Sequence, residues 1–576
     1  MGVSGSKWTL GRRQTYAGLN ASVVDDVGRA VLDKLGLSLR PSQITSGHHL
    51  LGRTIVELPT GEGKTIATVF PACAFARRGR KVWIATANDY LAHRDAQWMR
   101  PVYDQLGVGV VSIAATMSPS ERSAAYESDV VYGTIRSFGF DFLRSQIASE
   151  DWRGDVLIVD EADSILIDEA RTPMVISSSG GSTEPERNGA EEACFRWAAN
   201  VASQLRIDVD FVWLEDRGQT ALTTIGRRSA LDSVMPPQMR SLTTTEILHA
   251  VERSIQANQT LFRDVHYVVE GDGICLVDEY TGRKSVDRTL GGGLHQAIQA
   301  REGLTITSSN CPIARITVME FVDRFRHVCG LTATAWEDRQ ELKSVYGCDV
   351  QRVESECPSK QVRSTDRIFA TADEKWKAIE GETVSMVSAG RAVLIGTRTI
   401  ELSERLSEQF RRAGIEHQLL TARNHEAEAS IVAEAGRPGR VTIATNLAGR
   451  GTDIQLTDDV RRAGGLHVIV SEPHASSRID RQLMGRGARA GDPGTACLFA
   501  SGEDEILAQA FGRDFSRRSA ASVTPASLAR KLARAQRMVA RQHRIERASS
   551  NASQQRLGEA LRSLGMPPHT TPLPSN

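Results

Sequence analysis

Residues 155–163 read DVLIVDEAD: four consecutive apolar residues, Val156 to Val159, running into Asp160 and Glu161. A short apolar run with no polar alternation is a strand covered on both faces, the mark of a parallel sheet flanked by helices. Two carboxylates at its end stand at the C-terminal edge of such a sheet, where α/β proteins bind ligands. Working upstream, TIVEL (54–58), KVWIAT (81–86), GVVSI (109–113) and DVVYG (129–133) repeat the pattern, with longer mixed segments between them. They predict one α/β layer of parallel strands and helices.

Directly after TIVEL comes the rest of ELPTGEGKT (57–65), followed by an apolar helical run. A glycine-rich turn at a helix N-terminus lets backbone N–H groups wrap phosphates. Gly61, Glu62, Gly63, Lys64 and Thr65 are therefore expected to bind ATP, with Lys64 reaching the β- and γ-phosphates and the Thr65 hydroxyl on Mg²⁺. Leu58 stands where the strict phosphate-loop pattern has its first glycine, a change the helicase-like superfamily tolerates. Asp160 is expected to hold the Mg²⁺ through water, and Glu161 to orient and deprotonate the attacking water. A bland capped strand end is the competing reading of Asp160 and Glu161, and the phosphate loop upstream in the same unit argues against it.

A second α/β series runs through AVLIGT (392–397), VTIATN (441–446) and LHVIV (466–470). The loops TNLAGRGTDI (445–454) and RQLMGRGARAGDPG (481–494) put Arg450, Arg486 and Arg489 after strands of that series. An arginine supplied across a cleft stabilises the leaving γ-phosphate and ties hydrolysis to domain closure. Between the two series, SSSGGSTEPERNGAEE (177–192) reads as a linker or domain entrance, and HYVVEGDGICLVDEY (266–280) as a hairpin turning at Gly271-Asp272-Gly273. The tail begins at Thr524-Pro525 and repeats apolar residues at Leu528, Leu532, Ala535, Val539 and Ile545, an amphipathic helix.

The chain has 576 residues, too many for one core. Lys plus Arg equals Asp plus Glu, 70 each, so nothing in the total points to a nucleic-acid binder. Residues 512–576 alone hold twelve Lys/Arg against three Asp/Glu, a solvated basic face or a surface for anionic lipid or an acidic partner. None of the eight cysteines forms a C-x-x-C pair, so no zinc site is expected. No stretch has the roughly 18 uninterrupted apolar residues of a membrane span.

The segments around these motifs resemble the SecA family of preprotein translocase ATPases. The resemblance is carried by VDEADSILIDEARTPMVIS (159–177), TANDYLAHRDAQWM (86–99), DVVYGTIRSFGFDFLR (129–144), LVDEYTGR (276–283), GLHQAIQAREG (293–303), GLTATA (330–335) and TNLAGRGTDI, in family order from about Arg40 to Gly512. It implies two RecA-like P-loop NTPase domains of the helicase superfamily two type, an inserted α+β preprotein-binding domain, and a short helical C-terminal tail. The implied division is 1–177 and 315–355 for the first nucleotide-binding domain, 178–314 for the preprotein cross-linking insertion, 356–515 for the second nucleotide-binding domain, and 516–576 for a partial helical scaffold with a disordered end. Gln43 is implied to contact adenine and Asp453 to join the ATP site, with Arg450 and Arg489 as finger candidates. The implied activity is ATP-driven translocation of unfolded preproteins. The implied setting is the Sec channel and the anionic inner-membrane surface, reached from the cytoplasm, with homodimerisation open and nucleic acid not expected. A nucleic-acid translocase and a nucleotide-binding regulator of export are the alternatives. Two places depart from the family pattern: Val470-Ser471-Glu472-Pro473-His474 replaces Gly-Thr-Glu-Arg-His, and GRGARAG (485–491) replaces Gly-Arg-Ala-Gly-Arg-Gln-Gly. LARKLARAQRMVARQHRIERASS (528–550) resembles the start of the helical scaffold. The family's wing, two-helix finger and zinc tail find no counterpart before Asn576, so a short, accessory form is expected.

Overall fold

The structure is a computed structural model that describes residues 11–147, 154–177, 185–214, 219–271, 273–277, 284–285, 290–307, 312–356, 359–420, 431–445, 453–512 and 525–563. The chain divides into two compact units. One holds Met1–Val175, Arg315–Leu420 and Glu426–Asn576, and the other Ile176–Ala314 with Thr421–His425.

The first unit contains two seven-stranded parallel sheets. In the first, the spatial order is Asp349–Arg352, Thr54–Glu57, His327–Thr332, Val156–Asp160, Val82–Thr86, Val130–Thr134, Val110–Ser112. The five strands expected from the apolar runs are all present within a residue or two. His327–Thr332 and Asp349–Arg352 come from beyond the insertion, and the first of them lies between Thr54–Glu57 and Val156–Asp160, with Gly330 opposite Val159. A side chain at Gly330 would meet the Val159 carbonyl at 2.4 Å, so only glycine lets the strands approach here. The second sheet runs Lys360–Arg363, Pro493–Ser501, Leu466–Val470, Val393–Thr397, Val441–Thr445, Gln418–Leu420, with Arg367–Phe369 also on Pro493–Ser501. Strands such as VLIGT and LHVIV are buried at every position, as helices on both faces require. This is the RecA-like, two-sheet α/β architecture.

The tail is one helix, Pro525–Ser563. Leu528, Leu532, Ala535 and Val539 are buried against Ala500, Ile506 and Leu507. Ile545 departs from the expected apolar face: it is 51% exposed, because beyond Val539 the helix is held by charge instead. Arg547 forks onto both oxygens of Glu341 (2.5 and 2.9 Å), and Arg544 lies 3.5 Å from Asp338.

In the other unit the expected linker is only partly one: residues 178–184 lie outside the described part, and Pro185 already opens a helix, Pro185–Ala202. The expected hairpin is present, Tyr267–Glu270 against Gly273–Val277. It is the second of two copies. Helix Pro185–Ala202 leads into the hairpin Phe211–Leu214/Gln219–Leu222 much as helix Thr244–Thr260 leads into the later one. In each copy an aspartate takes the left-handed conformation (Asp208 φ 63°, Asp264 φ 64°), which Asp tolerates better than most residues. Each donates its N–H to a carbonyl three residues on, Phe211 (2.8 Å) or Tyr267 (2.7 Å). DVDFV (208–212) and DVHYV (264–268) are the sequence trace of this duplication. Phe211, Leu222, Tyr267 and Leu276 meet in one core with Trp197, Val251 and Ile298.

Candidate ATP site and the contact between the two sheets

The phosphate loop leaves Thr54–Glu57 and enters helix Lys64–Ala76. Gly61 (φ 91°) and Gly63 (φ 78°) are both left-handed, and a Cβ on Gly63 would lie 2.5 Å from Gln43 Nε2. Gln43 is 4% exposed and braces the loop: its Nε2 donates to the Glu62 carbonyl (2.8 Å), and its Oε1 accepts from Arg40 N–H (3.1 Å). The Glu62 carboxylate accepts from the Ser355 hydroxyl and from Arg40 (3.3 Å), which ties the loop to the segment leaving the first sheet.

Lys64 Nζ lies 3.6 Å from Glu161 Oε1 and makes no hydrogen bond among the described residues, although it is buried. Asp160 Oδ1 is buried and equally unpartnered. Burial, and then the Glu161 and Asp95 carboxylates, push the Asp160 carboxyl up from its ordinary value, against the pull of Lys64. Glu161 sits at φ 53°, left-handed and strained for a residue with a side chain, and strain of this kind collects at functional sites. Thr65 Oγ1 donates to Asp95 Oδ2 at 3.4 Å, and Asp95 is held by Arg94 (2.8 Å). An ammonium held only by a 3.6 Å ion pair, a carboxylate oxygen without a hydrogen-bond partner and a hydroxyl beside a glycine loop at a helix N-terminus fit a nucleotide phosphate with Mg²⁺. Asp160 and Thr65 would hold the ion, whose chemistry when bound is to draw charge from the phosphate oxygens.

The contact from the second sheet comes mainly through a residue that sequence reasoning missed. Arg478, on helix Ser477–Met484, is 1% exposed and pairs with Asp163, Asp168 and, at 3.2 Å, Asp338. Burial alone would lower its pKa, but Asp168, Asp163 and Asp338 raise it well above the ordinary value, so it stays charged. Gln482, one turn on, donates to Asp163 and to Thr334 Oγ1 (2.9 Å). Asp163 also accepts from Thr332 (2.5 Å) and Thr334 (3.1 Å) of GLTATA. Asp163 is thus the last letter of VDEAD, and it links the segment after strand Val156–Asp160, the end of strand His327–Thr332 with the segment after it, and the second sheet. The available signal was the pattern of SRIDRQLM (477–484): Asp480, Leu483 and Met484 fall on one side of the helix, and Arg478 and Gln482 recur four residues apart on the other, where Arg478 is buried too.

The expected arginines divide. Arg486 is buried in the loop after that helix. Arg489 is paired with Asp453 at 3.0 Å, so two expected site residues are brought together. A Cβ on Gly485 would lie 4.0 Å from Thr60 Oγ1, which sets this loop beside the phosphate loop. Arg450 lies outside the described residues. Ala488 is left-handed (φ 57°) at the position where the family pattern has glycine.

Comparison with known proteins agrees with this geometry. Residues 11–343 match the family described as SecA DEAD-like domain, and 358–462 with 457–520 match the SecA P-loop domain. The chain is 39% identical over 480 residues to "Protein translocase subunit SecA" of Desulforapulum autotrophicum, covering 82% of this chain and 56% of that protein. It is 38% identical over 533 residues to the SecA of Coxiella burnetii, covering 82% and 57%. "Protein translocase subunit SecA 2" of Rhodopirellula baltica is 37% identical over 564 residues, covering 92% of this chain and 85% of its own. The chain therefore spans little more than half the length of the first two relatives. A solved structure of Mss116p bound to ssRNA and AMP-PNP aligns at TM-score 0.46 and 12% identity, over 90% of this chain and 81% of that one. Two family matches in sequence order, covering both sheets, together with relatives near 38% identity over most of the chain, establish that it belongs to the SecA family.

Proposed function

We propose that this chain is an ATPase that couples hydrolysis to movement of unfolded preproteins at the Sec channel. The observation that carries the reading is Arg478: a charge from the second sheet is buried among carboxylates two and seven residues beyond Glu161. A buried charge cannot be parted from its partners without large cost, so the two sheets separate or rotate only when something replaces those contacts. Nucleotide at the phosphate loop is suited to do so, because Lys64 Nζ and Asp160 Oδ1 have no hydrogen-bond partner among the described residues and Lys64 is held only by its 3.6 Å ion pair with Glu161. Glu161 would take the proton of the attacking water, and Arg486 and Arg489, on a loop beside Thr60, would carry positive charge toward the leaving phosphate. Gln43 would serve the adenine end of the site through the loop that it braces, with Asp453 orienting Arg489.

The relatives' names support a protein cargo. For the membrane side, the C-terminal helix has no Asp or Glu from Pro525 to Ile545 and exposes Arg530, Arg534, Arg537 and Arg541 beside Met538 and Ile545. Exposed arginines interleaved with apolar side chains suit an anionic bilayer surface. No helix among the described residues is long and apolar enough to cross a membrane. The test is steady-state ATPase of the full chain with unfolded preprotein, with RNA, or with neither, beside Glu161→Gln. Stimulation by preprotein alone is expected. Stimulation by RNA alone would replace this reading with nucleic-acid translocation, and binding without turnover would make the chain a regulator.

A further inference from the structure

A second set of buried polar groups lies where strands Val393–Thr397, Leu466–Val470 and Pro493–Ser501 end. Neither the nucleotide nor the contact between the sheets uses it. Lys375, on helix Ala372–Ser388, is fully buried and places Nζ 2.5 Å from Asp504 Oδ1. Asp504 also accepts from the Ser501 N–H (2.8 Å) and hydroxyl (2.6 Å). Glu472, 5% exposed, shares this enclosure. The charged and titratable groups acting on it are Asp504 from the turn after the last strand, Lys375 from the helix, Arg398 from the loop after Val393–Thr397, and His474 from its own loop. Glu472 Oε1 has no hydrogen-bond partner among the described residues, and neither has His474 Nε2.

Two carboxylates thus share the enclosure with Lys375 and Arg398, but Asp504 already occupies Lys375 at hydrogen-bond distance, and Arg398, whose buried Nη1 has no hydrogen-bond partner among the described residues, makes no ion pair with Glu472. An ionised Glu472 would leave a buried oxygen with neither a donor nor a counter-ion in contact. Such a group keeps its proton instead. The loop that carries Glu472 also holds Asp480. The His474 N–H (3.1 Å) and Nδ1 (2.7 Å) both meet Asp480 Oδ1, while Gln536 of the C-terminal helix donates to Asp480 Oδ2 (2.7 Å) and to the His474 carbonyl (2.9 Å). Asp480 stands two residues from Arg478 on the same helix.

We propose that Glu472 is a proton-binding site of the second sheet, neutral in the folded chain, and that losing its proton to solvent loosens the loop that fixes Asp480, two residues from Arg478 on the same helix. Burial and the Asp504 carboxylate raise Glu472 above the usual carboxylate range, with Lys375, Arg398 and His474 opposing. The sign follows: the folded chain holds this proton more tightly than the unfolded chain. Stability from this site is therefore full while Glu472 is protonated, and it is lost as pH rises from the ordinary glutamate value through the raised one.

Two measurements on the full chain test the proposal. Infrared difference spectra at neutral pH between wild type and Glu472→Gln should show a protonated carboxyl band in wild type only. Thermal midpoints over a rising pH series should fall for wild type relative to Glu472→Gln, which mimics the protonated acid and should lose that component. Asp504→Asn guards against a variant that fails to fold: it frees Lys375 for Glu472, so the Glu472 acid band should vanish at neutral pH. An acid band unchanged in both variants, or identical pH profiles for wild type and Glu472→Gln, would overturn the proposal.

Discussion

The two sheets end in the same way, with polar residues at the C-terminal edge of parallel strands, yet the two edges are finished differently. At the first, Lys64 Nζ and Asp160 Oδ1 make no hydrogen bond among the described residues and stand beside a glycine loop, with Lys64 held only by a 3.6 Å ion pair to Glu161. At the second, Arg478 is spent on three carboxylates of the other half, and Lys375 on Asp504. The strand geometry is common to both. The loops decide whether the edge takes a ligand or closes on protein. Gly61 and Gly63 turn the first loop through left-handed backbone, while in the second Glu472 is buried near Lys375 of helix Ala372–Ser388 and the His474 carbonyl accepts from Gln536 of the C-terminal helix. The proposed ATP-driven function would use both: one edge with charges placed to take nucleotide, and one whose charges hold the other sheet.

The largest expected effect breaks the open edge. Glu161→Gln should lower ATP turnover by about 10²–10⁴ while retaining nucleotide binding, as read by steady-state ATPase and a binding titration. Next comes the closed edge. Arg478→Ala strands Asp163, Asp168 and Asp338 without a counter-charge and should cost about 3–5 kcal/mol in denaturant unfolding of the first unit. If its unfolding curve matched wild type, the closed edge would not be the lock described. Gln536→Ala tests whether the C-terminal helix belongs to that lock: it leaves Asp480 Oδ2 without its donor and should cost about 1–3 kcal/mol. The smallest effect runs the other way. Ala488→Gly relieves a left-handed backbone and should stabilise by about 1 kcal/mol, visible as a small rise in thermal midpoint. A fall in midpoint would mean that the Ala488 methyl contributes packing that outweighs its strain.

Much of the first edge was legible in the sequence because it is local. A phosphate loop is consecutive residues, and VLIVDE carries its burial and its carboxylates in one run. The strands could be read for the same reason: contiguous β-branched residues mark double-sided burial wherever the strand lies. What eluded reading depended on distance along the chain. His327–Thr332 lies beside Val156–Asp160 although the whole insertion separates them, and nothing in HVCGLT names its neighbour. The duplication in the insertion was hidden because Asp208 and Asp264 share a backbone conformation within weakly similar words. The Ile545 position failed for another reason: periodicity reports a face, not where along a helix that face stops finding partners.

The sequence alone determined the candidate ATP site and the family: an apolar strand ending in Asp160 and Glu161, a glycine loop with Lys64 and Thr65, and the extended segments that mark the SecA family. Only the tertiary structure decided what holds the halves together, because Arg478 and its carboxylate Asp163 stand 315 residues apart and a buried charge is indistinguishable from a surface one until its surroundings exist.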